Sequence, residues 1–364
     1  MSSHIVEVAV IDELVKHPNA DRLEIATVKG WNCIVQIGQF EKGEKVVYIP
    51  IDSILPEELA EKLGVTSYLS KGERLRTVRL RGYISQGLLM KIDQHRKVGT
   101  DVAKEFGITK WAPPPPKYQG SGKPSTPRNP NPNFDKYNDL ENIKNYTSVF
   151  QYDDIVVISE KIHGTNFRAG KVPSYPITFW DRVKRFIRTK ILHKSDYVFV
   201  VGSRNVQLEP DSETFYKENV YGKAARMYQL NRILPDGYTL YGEIYGEGIQ
   251  DLQYGMEGKG IEVVFFDLKI NGKYVDYPVF RDFCAEHNLP YAKNFYTGPF
   301  EDGEIVKQLT DGQSHLAMQN GSEQIREGVV VKLVHEKNDP RFGRKILKSV
   351  SDAYLLRKDG TEYQ

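Results

Sequence analysis

Little in this 364-residue chain points to covalent cross-linking, membrane insertion or attraction by bulk charge. Cysteine is scarce: Cys33 and Cys284 stand far apart, on either side of a proline-rich stretch. Two such thiols cannot frame a disulfide-stapled domain and are too few for a cysteine-rich zinc site, so a reducing compartment is expected. No apolar run approaches the ~20 residues that span a bilayer. The opening Met-Ser-Ser-His-Ile lacks the charged and apolar pattern of a signal peptide. A soluble intracellular protein without a membrane partner is expected, its compartment (cytoplasm, nucleoid or nucleus) left open. Charge excess is small too, because 50 Lys and Arg face 48 Asp and Glu, for a formal net charge of +2. That excludes a strongly basic protein that coats nucleic acid; any contact with a polynucleotide must come from local patches.

The length suits two ordinary domains, each able to bury a core. Between them, residues 112–133 hold four consecutive prolines at 113–116, a Gly120-Ser121-Gly122 patch, and then Pro124, Pro127, Pro130 and Pro132. Such composition cannot build a packed element and reads as an extended, partly stiff spacer, with a docking site for a partner as the alternative. The expected division is a first domain over 1–110, a linker over 111–136 and a second domain over 137–364.

Before the linker, β-type runs at 5–10, 23–28, 32–37, 45–49, 76–80 and 87–90 are closely spaced and separated by glycine turns. They predict a small closed barrel. His17-Pro18-Asn19-Ala20-Asp21-Arg22-Leu23 and the Leu-Arg-Gly-Tyr-Ile-Ser-Gln-Gly segment at 80–87 resemble signatures of the OB fold of tRNA-binding domains. Arg74, Arg76, Arg79 and Arg81 would form a basic rim for RNA backbone, or the wet face of one strand. After the linker, strands mix with helices expected over 211–233 and 279–286; the first opens with acidic residues that suit a positive amino-terminal dipole. Between 171 and 194, seven Lys or Arg stand against one Asp, interleaved with Phe179, Trp180, Val183, Phe186, Ile187 and Ile191 at helical spacing. That stripe is read first as a packing face; its charged side would grip RNA phosphates or simply be solvated.

The chemistry concentrates in Lys161-Ile162-His163-Gly164-Thr165-Asn166, which ends the apolar run 154–159. An ordinary lysine, with a pKa of about 10.4, is a poor nucleophile at neutral pH. One held in a pocket that excludes water can lose its proton and attack. Gly164 permits close backbone approach, and Thr165 and Asn166 supply a hydroxyl and an amide. By itself this is also what a surface lysine at a strand-to-turn junction looks like. Four further polar islands keep it company: Ser203-Arg204-Asn205, Gly242-Glu243, Glu327-Gly328 with Lys332, and Lys345-Ile346-Leu347-Lys348. Each sits in or beside a β-branched run, and charges at such ends suggest a ligand-facing rim. Carboxylates and cations converging on one cleft are what a nucleotide and a divalent metal need.

Together these phrases resemble the covalent nucleotidyltransferases of the ATP-dependent RNA ligase type. Residues 160–167 (Glu-Lys-Ile-His-Gly-Thr-Asn-Phe) match the K-x-[D/H]-G-x-N of RNA-end joining better than the K-x-D-G-x-R of DNA ligases. The resemblance continues through Ser203-Arg204, the Tyr-Gly-Glu-Ile-Tyr-Gly run at 241–246, Val-Val-Phe-Phe-Asp-Leu at 263–268, Glu327 to Lys332 and the Lys348 segment, covering roughly 137–358. An OB domain ahead of the transferase is similar to the type 5 RNA ligases. The implied fold class is α+β: an N-terminal OB-fold β-barrel, then a nucleotidyltransferase domain of antiparallel sheets flanked by helices.

The resemblance implies three transfers. Lys161 would attack ATP to carry AMP, the adenylate would pass to a 5′-phosphate, and a 3′-hydroxyl would displace it. It also implies the roles. Glu160 and the Ile162 backbone would face adenine, Asn166 the ribose or the joining ends, and Arg204 the ribose or the substrate terminus. Glu243 would bind ribose hydroxyls. Glu327 would hold Mg²⁺ or Mn²⁺ near Lys161, and Lys332 and Lys348 would neutralise the α-phosphate. His163 replaces an Asp of DNA ligases and is not expected to ligate metal. Relatives carry K-x-K in the last motif; here Lys345 is one residue out of that register, so Lys348 is preferred and Lys345 comes second. Val263 aligns with an aromatic that stacks on adenine and would give an aliphatic floor. The expected partners are RNA ends, in nicked RNA or an RNA–DNA duplex, and the expected state is a monomer. Alternatives are a DNA ligase or guanylyltransferase of the same superfamily, or a non-catalytic OB-fold RNA-binding protein.

Overall fold

The computed structural model describes residues 4–69, 74–112, 131–176, 178–193, 195–208, 210, 219–301, 303–340 and 343–357. It divides into two compact units. The first takes Met1–Pro114 together with Asp139–Ser148 and Asp352–Gln364; the second takes Pro115–Asn138 and Val149–Ser351.

In the first unit, strand Lys45–Pro50 lies between Glu7–Val10 and Gly87–Lys91. Successive side chains of a strand point to opposite faces. Val46 and Tyr48 accordingly join a cluster with Ala26, Val28, Trp31 and Cys33, while Val47 and Ile49 join Val6, Val8 and Leu55. Both faces are buried, which is why this strand reads as unbroken apolar sequence. A second sheet pairs Glu13–Lys16, Leu23–Val28 and Trp31–Gln36. Its mixed, mostly exposed first strand gave no apolar signal.

The two OB-like segments touch each other. His17 Nε2 lies 3.2 Å from the Leu80 carbonyl oxygen, and Asn19 Nδ2 donates to the Arg81 carbonyl at 3.1 Å. The expected arginine rim is broken up. Arg74 is buried, donates to Asp52 at 2.7 Å and stacks on Trp111 at 3.8 Å, so its charge is spent inside the unit. Arg79 and Arg81 remain exposed beside the turn at Gly82.

The expected linker is mostly outside the described residues, which resume at 131. Residues 131–136 are no spacer. The Asn131 backbone amide donates to Gln207 Oε1 and its side-chain amide to the Pro173 carbonyl, both at 2.7 Å, and Phe134 packs on Val172 and Val200. Nor does the second domain run unbroken from 137. Asn145 Oδ1 accepts from Trp31 Nε1 at 2.9 Å, and Asp352 Oδ1 accepts from Gln86 at 2.9 Å, which assigns both segments to the first unit.

Among the described residues the second unit has two large antiparallel sheets besides the short pair Asn338–Asp339 and Gly343–Arg344. One orders Ile346–Val350, Gly328–Leu333, Ile155–Lys161 and Asn294–Pro299. The other orders Gln207–Leu208, Tyr197–Gly202, Thr165–Pro173, Tyr238–Gly246, Ile261–Ile270 and Lys273–Tyr274. Phe167, Leu240, Ile244, Val263 and Phe265 from the second sheet share a core with Ala224, Leu230, Phe280 and Cys284. The last four come from helices: Val220–Met227, Leu230–Ile233 and Tyr277–Glu286. The helix expected over 211–233 starts within the described residues only at Val220, capped by Asn219, and breaks at Gln229, which has φ of 51°. Its expected acidic opening at 211–213 lies outside them. Helix Phe179–Phe186 departs most from expectation, because its apolar stripe is exposed and packs on no core.

Candidate active site

Lys161 ends strand Ile155–Lys161 and stands opposite Gly328 on the neighbouring strand. Glu327 immediately precedes Gly328, so antiparallel pairing brings the carboxylate beside the amine, and Lys161 Nζ donates to Glu327 Oε1. The Glu327 side chain is wholly buried while that of Lys161 keeps 18% of its surface. The Lys161 side chain therefore stays partly open while the carboxylate that holds its amine is closed off.

The turn after Lys161 is held at several points. The His163 amide donates to the Tyr254 hydroxyl at 2.7 Å, and His163 Nε2 lies 2.7 Å from Asp251 Oδ1. His163 is thus a buried positioning group. Gly164 is needed for close approach, since a Cβ there would lie 2.1 Å from the Ile244 carbonyl oxygen. This clamp sets Asn166 directly opposite Glu243 across the pair Thr165–Pro173 and Tyr238–Gly246. Asn166 Oδ1 is buried without a hydrogen-bond partner. Arg204 lies near Glu243; burial lowers its pKa, and the Glu243 carboxylate and Tyr137 oppose that shift.

Glu160 alternates with Lys161 and so projects from the other face of its sheet. There its Oε2 accepts from the Leu316 amide at 3.2 Å. Burial raises its pKa, against the lowering by Ser314, the Arg326 charge and the Leu316 and His315 amides. Glu160 Oε1 is buried without a hydrogen-bond partner. An acceptor so placed suits an incoming N–H donor. Ile162 is buried beside it in sequence.

The three lysines separate. Lys348 stands opposite Val330, which stands opposite Ser159. Lys348 therefore shares the Lys161 face, one row away. Lys332 also shares that face but pairs with Val157, roughly 13 Å along the strand from Lys161. Its amine donates to Asp267 Oδ1 at 3.1 Å and to the Phe266 carbonyl at 3.2 Å. Arg344 pairs with the same Asp267 and with Glu336, and Tyr137 donates to Asp267 Oδ2 at 2.9 Å. The expected phosphate contact thus departs from what is seen, because Lys332 is committed to a buried ion network. Burial lowers its pKa, with Asp267 acting in the opposite sense. Lys345 is likewise elsewhere. It donates to Asp154 at 3.1 Å, at the far end of the Lys161 strand and roughly 23 Å from the nucleophile. Position 346, an isoleucine, is the one on the Lys348 face.

Val263 does not make a purine floor beside Glu243. It stands opposite Ile244 and joins the core, whereas Val264 stands opposite Glu243. Sequence reasoning also missed Asp251, Tyr254, Ser314 and Asp267. Tyr254 is fully buried with φ of 56°, and nothing in the Gln-Asp-Leu-Gln-Tyr run at 250–254 announces either property.

Among the described residues, no group of three or more His, Cys, Asp or Glu could hold a metal ion. A buried carboxylate such as Glu327 fits the alternative, in which Mg²⁺ or Mn²⁺ takes one or two protein oxygens and completes its shell with phosphate and water.

A family model described as RNA ligase matches residues 154–350, and an OB-fold domain model matches residues 5–92. No curated protein matches significantly. Among solved structures, a point mutant of Naegleria gruberi RNA ligase without ligand is similar, with a TM-score of 0.71 at 24% identity over 98% of each chain. Another mutant of that ligase, with AMP and Mn, gives 0.71 at 24% identity over 97% of this chain and 98% of that one. A third, with ATP and Mn, gives 0.70 at 24% identity over 96% and 98%. At that identity the likeness establishes a shared α+β fold.

Proposed function

The chain belongs to the RNA ligase family, and from that premise we propose that it seals RNA 3′-hydroxyl to 5′-phosphate ends, with ATP as the source of energy and Lys161 as the carrier of AMP. The observation that carries this reading is the pair of Lys161, part-exposed, and Glu327, buried.

Lys161 Nζ attacks the α-phosphorus of ATP, an N–P bond forms, and pyrophosphate leaves with its bridging oxygen. Glu327 holds the amine in place and offers an acceptor for its proton. Phosphoryl transfer asks mainly for positioning and charge neutralisation, and the side chains divide those tasks. Lys348, on the same face, meets the α-phosphate; Asn166 and Glu243, opposite each other, meet the ribose; Arg204 meets the ribose or the RNA terminus. Glu160 Oε1 and Asn166 Oδ1 are buried acceptors without partners, which supports a bound nucleotide with donors at both ends. Adenine carries an exocyclic amine that Glu160 Oε1 can accept from, where guanine carries a carbonyl, and this favours ATP over GTP. A divalent ion bound at Glu327 would neutralise phosphate charge and weaken the hold of the lysine on its proton. Solved structures of the Naegleria ligase contain ATP or AMP with Mn.

After the first transfer, AMP passes from Lys161 to the 5′-phosphate, and the 3′-hydroxyl displaces it. Nicks held by a complementary strand are the proposed substrate, with the OB-fold domain gripping the duplex. The test is a gel assay on three RNAs: nicked duplex with a 5′-phosphate, the same nick with a 5′-hydroxyl, and single strands. Sealing of the phosphorylated nick alone supports the proposal. Joining of single strands at equal rate would overturn the nick preference, and no joining under any condition would overturn the activity.

A further inference from the structure

Helix Phe179–Phe186 and the π turn Ile187–Ile191 that continues it are mounted with their polar side inward. Arg185 pairs with Asp196, and Arg188 donates to the Tyr197 carbonyl at 2.9 Å. Behind the helix lies a cleft of about 500 Å³ whose lining includes Ser174, Asp181, Lys184, Arg188 and Asp196. Outward go the apolar residues: Phe179 is 71% exposed, Trp180 69%, Phe186 60% and Ile191 60%, with Ile187 and Leu192 also exposed. Arg182 and Lys190 stay exposed beside them. The sole acid of the helix, Asp181, is taken up in a capping box with Thr178.

A helix that faces its own domain with cations and solvent with aromatics is built for another apolar phase. We propose that this face lies in the interface of an anionic lipid bilayer, with the aromatic and branched residues among the acyl chains and Arg182 and Lys190 on the headgroups. Charge complementarity selects this occupant: exposed cations border the apolar stripe and no free acid interrupts it, as in helices that lie in the plane of anionic membranes. A polynucleotide fits less well. It needs cations at the centre of the contact, and Ile187, Ile191 and Leu192 neither stack on bases nor pair with phosphates. The expectation of no membrane partner rested on the lack of a spanning run, and an in-plane helix needs none; among the described residues no helix is long and apolar enough to cross a bilayer.

The test is co-sedimentation of the full chain with vesicles of phosphatidylcholine, with and without phosphatidylglycerol. Binding to the anionic vesicles alone is expected, weakened by salt, with a blue shift of tryptophan emission that disappears in Trp180→Phe; Trp31 is buried and Trp111 lies under Arg74. Replacing Phe179, Trp180, Phe186 and Ile187 together by Ser should abolish binding while self-adenylylation continues. Arg182→Gln and Lys190→Gln should each weaken it about fivefold. These milder variants decide the matter if the fourfold variant fails to fold. No vesicle binding by the wild type, or binding unchanged in all these variants, overturns the proposal. So does binding to single-stranded RNA, or self-association, that the fourfold variant loses while vesicles are ignored.

Discussion

Lys161 and Glu327 are joined across adjacent strands because Lys161 pairs with Gly328, the residue after the glutamate. The pairing register thus sets the distance between nucleophile and carboxylate. Gly328 is part of the arrangement: its φ is 151°, and a Cβ there would lie 2.1 Å from the Ser349 carbonyl oxygen.

The turn that follows Lys161 has equally little room. Gly164→Ala places a methyl 2.1 Å from the Ile244 carbonyl, so the turn must shift. A displacement near 1 Å at a reacting group costs roughly 10²-fold in rate. Single-turnover labelling with ATP should slow by about that factor while the circular-dichroism spectrum stays native.

Lysines 345 and 348 separate in the same assay. Lys348→Ala removes a cation from the Lys161 face and should slow labelling by roughly 10²-fold. Lys345→Ala removes a partner of Asp154 far from the site and should change it less than about threefold. Equal losses would place Lys345 in the cleft after all.

Glu160 offers a test of base recognition. If its unpartnered oxygen receives the adenine amine, Glu160→Ala should raise the KM for ATP by roughly 10- to 100-fold. The preference over GTP should narrow in parallel. An unchanged ATP-to-GTP ratio would assign Glu160 to the Ser314–Leu316 contacts alone.

Asp267 tests stability instead of chemistry. Burial would raise its pKa, but Arg344 and Lys332 hold it below the ordinary carboxylate range. A depressed folded pKa gives a stabilisation that is complete above the unfolded value of about 3.9 and fades as pH falls through the folded value. Acid unfolding should therefore begin below about pH 4. Asp267→Ala leaves the buried Lys332 without its carboxylate partner and Arg344 with Glu336 alone, and should cost about 3–5 kcal/mol. Chemical denaturation at neutral pH measures the loss, and a change below about 1 kcal/mol would show that the network contributes little.

How much of this was legible in sequence depends on the range over which each residue acts. Lys161, Gly164 and Asn166 lie within six residues and could be read as one phrase. Strands such as Lys45–Pro50 showed themselves through unbroken apolar runs, whereas the mostly exposed Glu13–Lys16 did not, and the helix expected over 279–286 is observed as Tyr277–Glu286. Lys332 and Lys345 misled because their charges are matched by partners far away in the chain, Asp267 and Asp154, that no local pattern reveals. Val263 misled by one residue, and on a strand one residue is the difference between cleft and core. The stripe around Trp180 has the periodicity of a packed helix; the exposure of Phe179, Trp180 and Phe186, with Arg185 tied to Asp196, reveals that it is turned outward.

The most direct test is to incubate the purified chain with ATP and Mn²⁺ in the absence of RNA and map any adduct by peptide mass spectrometry. One AMP per chain on Lys161, released by acid and absent from Lys161→Ala, is the predicted result. An adduct on another side chain, or none while RNA ends are still joined, would contradict Lys161 as the carrier.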